Sequence, residues 1–96
     1  MIEVRLSDVF SEWLDGLADE RAQARIVIRI RRLEQGNPGD VKVVGDGVSE
    51  LRITYGPGYR LYFTRMEQEI VILLCGGDKS TQRKDIALAK RLAKEL

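Results

Sequence analysis

Three runs of strand-like composition, SELRITY (49–55), YRLYFTRM (59–66) and EIVILLC (69–75), follow one another with almost nothing between them. A parallel crossover needs about a dozen residues or more, whereas an antiparallel return needs only a turn. The connections here are Gly56-Pro57-Gly58 and Glu67-Gln68. The segment must therefore be an antiparallel meander, and the rest of the chain has to cover it.

What precedes the meander has a different period. IEV near the start suits a short strand. From Ser7, a plausible N-cap, Phe10, Trp13, Leu14 and Leu17 recur at helical spacing up to Gly16 and just beyond. A second helix is expected from Asp19 to Gln35, with Ala22, Ile26, Ile30 and Leu33 inward and Arg21, Arg25, Arg29 and Arg32 alongside. GNPGD (36–40) stops it, because Gly suits the position after a helix and Pro38 cannot continue one. Helices so closely joined are expected to form an antiparallel pair. Val41–Val44 reads as a short strand and Gly45-Asp46-Gly47 as a turn. After Gly76-Gly77, read as ending the last strand, a final helix runs from Thr81 to Glu95 with Ile86, Ala89, Ala93 and Leu96 inward. The expected class is α+β: one domain over residues 1–96, with a layer of helices on one face of a small, mainly antiparallel sheet.

Register then decides where the polar groups go. With a three-residue Gly-Pro-Gly loop, Thr54 pairs with Arg60 and Arg52 with Tyr62, so Arg52, Thr54, Arg60 and Tyr62 share one face. Leu51, Ile53, Leu61 and Phe63 share the other. An even loop would bury Arg60 among apolar groups at high cost. A two-residue turn at Glu67-Gln68 pairs Phe63 with Ile72 and Leu61 with Leu74. It also makes Val71 and Leu73 the floor of a concave, helix-free surface from which the arginines rise. Lys79 lies four residues past Cys75, beside the unpaired N–H groups that open the final helix. Arg52, Arg60, Lys79, Tyr62 and the amides of Gly76 and Gly77 are thus expected to converge as a phosphate-binding surface.

Composition sets limits on the chemistry. Net charge is +1, but it is unevenly spread. Residues 1–20 carry six acids against Arg5, residues 21–35 five arginines against Glu34, and residues 80–96 five bases against two acids. Such stripes can present a local positive surface to a polyanion. There are no histidines and one cysteine, Cys75. The usual zinc sites, histidine-based triads and histidine acid–base ribonuclease chemistry are excluded, and no cofactor is expected. Cys75, at the end of an apolar run, reads as an inert buried thiol, and Trp13 as core. GGDKST (76–81) fails as a phosphate-binding P-loop, because Asp78 and Leu73 stand where glycines are required. No run approaches the roughly 20 apolar residues of a membrane helix, and the start lacks a signal peptide's positive charge, so a cytoplasmic protein is expected.

The segments FSEWLDGL (10–17), RIRRLEQGNPGDVKVVGDGV (29–48), GVSELRITYGPGYRLYF (47–63) and IVILLCGGDKSTQRKDI (70–86) resemble the small toxins of bacterial type II toxin–antitoxin systems. The nearest group is the HigB-like addiction module killer branch of the RelE/ParE superfamily, and the likeness spans nearly the whole chain. The resemblance implies a toxin that cuts messenger RNA in the ribosome without a metal, the RNA's own 2′-hydroxyl attacking the scissile phosphate. It matches Arg60 and Lys79 to the family's catalytic basic residues, and Arg52 more loosely to a basic site position. Many relatives also use a C-terminal tyrosine or histidine, which this chain lacks after Phe63. That leaves Tyr62, or a ribosomal group, to position or shuttle a proton, with Thr54, Gly76 and Gly77 on the RNA. It further implies an antitoxin partner of the helix-turn-helix type, through which alone operator DNA would be contacted. ParE-like relatives, which inhibit DNA gyrase without cutting RNA, and a non-toxic antitoxin-binding relative are the alternatives.

Overall fold

The computed structural model describes residues 1–96. A five-stranded sheet is ordered β1-β5-β4-β3-β2. Its strands are β1 (Glu3–Leu6), β2 (Val41–Gly45), β3 (Val48–Ile53), β4 (Tyr59–Met66) and β5 (Ile70–Asp78). The helices are α1 (Asp8–Asp15), α2 (Glu20–Glu34) and α3 (Gln82–Lys94), with a short 3-10 turn at Lys79–Thr81 before the last. β1 runs parallel to β5 and every other pairing is antiparallel, so the α+β class and the meander stand. No helix is long and apolar enough to cross a membrane.

Local chemistry accounts for the element ends. The Ser7 hydroxyl accepts from the Phe10 N–H at 3.0 Å and donates to the Leu74 carbonyl at 2.6 Å, so it caps α1 and ties it to β5. The Asp19 carboxylate accepts from the Arg21 and Ala22 amides and opens α2. Asp46 and Gly47, both with positive φ (54° and 77°), form the two-residue hairpin turn between β2 and β3 that Asp-Gly favours.

One core lies between the sheet and α1 and α2. Phe10, Ala22, Ile26, Ile30 and Leu33 meet Leu51, Ile53, Tyr59, Leu61, Phe63, Val71 and Leu73 there. The apolar stripe expected for α2 is the one buried. On the opposite face, the expectation of a helix-free surface fails. α3 covers it, with Ala89 fully buried and Ile86, Leu88, Leu92 and Ala93 packed against Val48, Tyr62, Ile72, Leu74 and Cys75. Leu96, expected inward, is 59% exposed.

Two register differences produce this. The β4–β5 connection has three residues, Glu67 to Glu69, because Glu67 takes a left-handed conformation (φ 59°) and Met66 pairs with Ile70. One extra loop residue flips the parity of β5. Phe63 therefore faces Leu73, and Val71 and Leu73 join the α1/α2 core rather than flooring a concave surface. A β-bulge between Tyr62 and Phe63 then restores the parity, leaving Leu74 and Cys75 both in the α3 core. Beyond it Leu61 faces Gly76, not Leu74, and β5 continues through both glycines to Asp78.

Candidate functional site

The hairpin loop is five residues, Thr54 to Gly58, closed by the Ile53–Tyr59 pair. It is odd like the expected loop, so Arg52, Arg60 and Tyr62 keep a common face while the pairs move by one step, and Thr54 leaves that face for the loop. Arg52 now stands directly opposite Arg60, and Glu50 opposite Tyr62. Across β4, Arg60 is level with Gly77. Two like charges opposite one another destabilise a hairpin unless something compensates.

Two carboxylates do so. Arg52 donates to the Asp40 carboxylate from Nη2 at 2.8 Å and from Nε at 3.3 Å, an exposed contact that holds the Asp40 carboxyl below its usual range. Arg60 lies beside Glu50, Nε to Oε1 at 3.7 Å, an ion pair too long to be a hydrogen bond. The Glu50 side chain is 1% exposed and that of Arg60 14%. The other Glu50 oxygen accepts from the Gln82 amide at 2.7 Å, so α3 reaches into the same cluster. Glu50 Oε1, Arg60 Nε and the Tyr62 hydroxyl are all buried without a hydrogen-bond partner. Nothing in the sequence marks Glu50, because an acid alternating with arginines along a strand has the pattern of a solvent-facing residue.

Lys79 is exposed at the start of the 3-10 turn. A Cβ at Gly58 would lie 3.5 Å from Lys79 Cβ and 3.6 Å from Arg60 Nη1, so lysine and guanidinium flank the same spot on the loop. Of the open amides expected beside Lys79, that of Ser80 is already taken. The Asp78 carboxylate accepts from the Ser80 N–H at 2.8 Å and from its hydroxyl, which holds the Asp78 carboxyl down. An incoming anion would meet that carboxylate rather than a bare helix end.

Three other expected site residues have packing roles. Tyr62 is fully buried beneath α3; burial and then the Glu50 carboxylate push its phenol well above the ordinary value. Gly76 faces α1, where a Cβ would come within 2.3 Å of the Trp13 ring. Gly77 faces α3, where a Cβ would fall 1.8 Å from Asp85 Oδ2. These glycines let helices approach β5 on both sides. Thr54 is exposed in the loop, on the rim of a separate cleft against α2.

Cys75 lies in the α3 core, its thiol donating to the Asp85 carbonyl at 3.5 Å. Burial, then Asp85, push the thiol up to about 12 from 9.0. The folded chain should therefore resist iodoacetamide at pH 8 and be alkylated only after denaturation, as mass spectrometry can record. The fold keeps this proton, so the thiol's contribution is intact below pH 9 and falls between pH 9 and about 12, as the unfolded chain releases its proton first.

Residues 12–94 match the family described as phage derived protein Gp49-like (DUF891). The chain belongs to the Gp49-like family. This is a family of toxin–antitoxin toxins, which brings a cognate antitoxin as partner. A Haemophilus influenzae protein described as uncharacterized is 54% identical over 95 residues, covering 99% of this chain and 96% of its own. The crystal structure of a copper-bound mutant toxin from Helicobacter pylori is similar in fold, with a TM-score of 0.56 at 21% identity. It covers 83% of this Gp49-like chain and 97% of its own.

Proposed function

We propose that this Gp49-like chain is the toxin of a type II toxin–antitoxin system and acts as a metal-independent mRNA endonuclease on the ribosome, as HigB-like and RelE-like toxins do. The observation that carries the reading is the Arg52–Arg60 pair across β3 and β4, with Lys79 beside the same loop. In that chemistry the ribose 2′-oxygen attacks phosphorus, the 5′-oxygen leaves, and negative charge builds on the equatorial oxygens. Arg60 would donate to those oxygens, while Lys79 and Arg52 would hold the flanking backbone. Tyr62 is too deeply buried to carry the proton. The RNA must then be oriented, and its 2′-hydroxyl deprotonated, with help from the ribosome.

One observation favours a second reading. Both arginines already have carboxylate partners inside the fold, Asp40 and Glu50, which suits a surface for protein contact as well as one for phosphate. A ParE-like inhibitor of DNA gyrase would need no more than that.

Induction without antitoxin separates the two. The nuclease reading expects growth arrest with codon-phased transcript 5′ ends. Arg60→Lys, which keeps a charge beside Glu50 but loses the planar fork, should lower cleavage about 100-fold. Lys79→Ala, on an exposed turn, should lower it about tenfold without changing the thermal midpoint. Intact transcripts with DNA double-strand breaks would establish the gyrase reading instead.

A further inference from the structure

The arginine stripe of α2 is untouched by the reading above. Arg25, Arg29 and Arg32 line a cleft of about 270 Å³ with Ile28, Ile53 and Thr54. It lies on the α2 side of the sheet, whereas Arg52 and Arg60 point to the α3 side. Two of the three arginines are held in place, and Arg32 is exposed. Arg25 stacks on the Tyr55 ring at 4.4 Å, and Arg29 donates to the Arg52 and Pro38 carbonyls, each at 2.9 Å. None of the chain's ion pairs uses any of them. Partial burial first, and then repulsion from Arg32, lower the Arg29 guanidinium from its ordinary value, with Asp40 opposing them.

We infer that this cleft is where the antitoxin docks, through an acidic peptide segment that sets carboxylates on Arg25, Arg29 and Arg32 and a branched apolar side chain against Ile28 and Ile53. The inference rests on the toxin reading for the identity of the partner, and on the cleft for its chemistry. Carboxylates supply a partner that no ion pair of the fold provides, and Arg25 and Arg29, already fixed, lose little freedom on pairing. The apolar part is aliphatic: Ile53 is buried at the base and Ile28 stands 49% exposed at the rim. Single-stranded nucleic acid would want a free aromatic face to stack on, and the Tyr55 ring beside the cleft is already covered by Arg25. The cleft's volume holds a few side chains rather than a nucleotide chain with its backbone.

The test uses the full chain, the Arg25→Glu/Arg32→Glu double variant and Ile28→Asp, each checked by circular dichroism. Calorimetric titration with the antitoxin encoded beside this chain's gene should give affinities weaker by about tenfold or more for both variants. In cells lacking antitoxin both should arrest growth like the wild type, and both should escape neutralisation when antitoxin is supplied. Unchanged antitoxin affinity in both variants overturns the inference. So does loss of growth arrest at unchanged affinity, which would make the cleft a surface for RNA or another cellular target. If the wild type itself fails to arrest growth, the toxin reading falls, while the titration still decides the docking site.

Discussion

Arg60→Ala should destabilise the chain by about 3–5 kcal/mol, an effect separate from any loss of activity. The reason is Glu50. Its carboxylate is fully enclosed between the sheet and α3, with Gln82 on one oxygen and Arg60 as the only cation near the other. Removing the guanidinium leaves a buried charge with one neutral donor. In a domain this small each kcal/mol moves the thermal midpoint by roughly 4–8 °C, so the drop should be well over 10 °C. Glu50→Gln added to Arg60→Ala removes the stranded charge and should recover most of the loss. A double-mutant cycle by urea denaturation should give a coupling above about 1 kcal/mol. Independent, additive effects would mean that the 3.7 Å pair is only proximity. The result also bears on function. If Arg60→Ala unfolds the chain, its loss of toxicity says nothing about catalysis, whereas Arg60→Lys and Lys79→Ala still do.

The Glu50–Arg60 pair also marks the boundary of what the sequence could convey. Alternation in β3 and β4 placed Arg52, Arg60 and Tyr62 on one face, because any odd loop preserves parity whatever its length. The stripe on α2 was legible for the same kind of reason: Ala22, Ile26, Ile30 and Leu33 repeat with the helix and nothing competes with them. β5 was not legible. It is apolar on both faces, so its pattern does not select a register, and neither the left-handed Glu67 nor the bulge at Leu74 has a glycine or proline to announce it. The face that α3 covers followed from that missing parity. Once Val71 and Leu73 turn inward, Ile72, Leu74 and Cys75 need a second apolar layer, and only α3 remains to provide it. Tyr62 then becomes core, and what reaches solvent of the expected phosphate surface is its edge by the loop: Arg52, the tip of Arg60, and Lys79.

Gly76→Ala should also be strongly destabilising, for a steric reason. A methyl group at Gly76 would sit 2.3 Å from two carbons of the Trp13 ring, well inside contact distance. Trp13 cannot swing away freely, because it packs at 5.6 Å from Phe10 and 6.2 Å from Tyr59 between ring centroids. Either β5 or α1 has to shift, and a shift of α1 strains the Ser7 bonds to Leu74 and Phe10. Overpacking of a core costs about 1–3 kcal/mol, occasionally more, and the rigid neighbour puts this site at the upper end. Gly77→Ala meets Asp85 instead, a carboxylate that accepts from the Thr81 hydroxyl at 2.5 Å and must lose that partner to make room. Neither glycine has a positive φ, so alanine fits their backbone and the cost isolates the contact. Urea midpoints should fall in both variants, and Trp13→Leu should partly restore Gly76→Ala but not Gly77→Ala, because only the former loses its obstacle. Rescue of neither would mean that the Trp13 contact is not what Gly76 makes room for. A stable Gly76→Ala chain that had lost only its toxicity would return that residue to the RNA-binding surface.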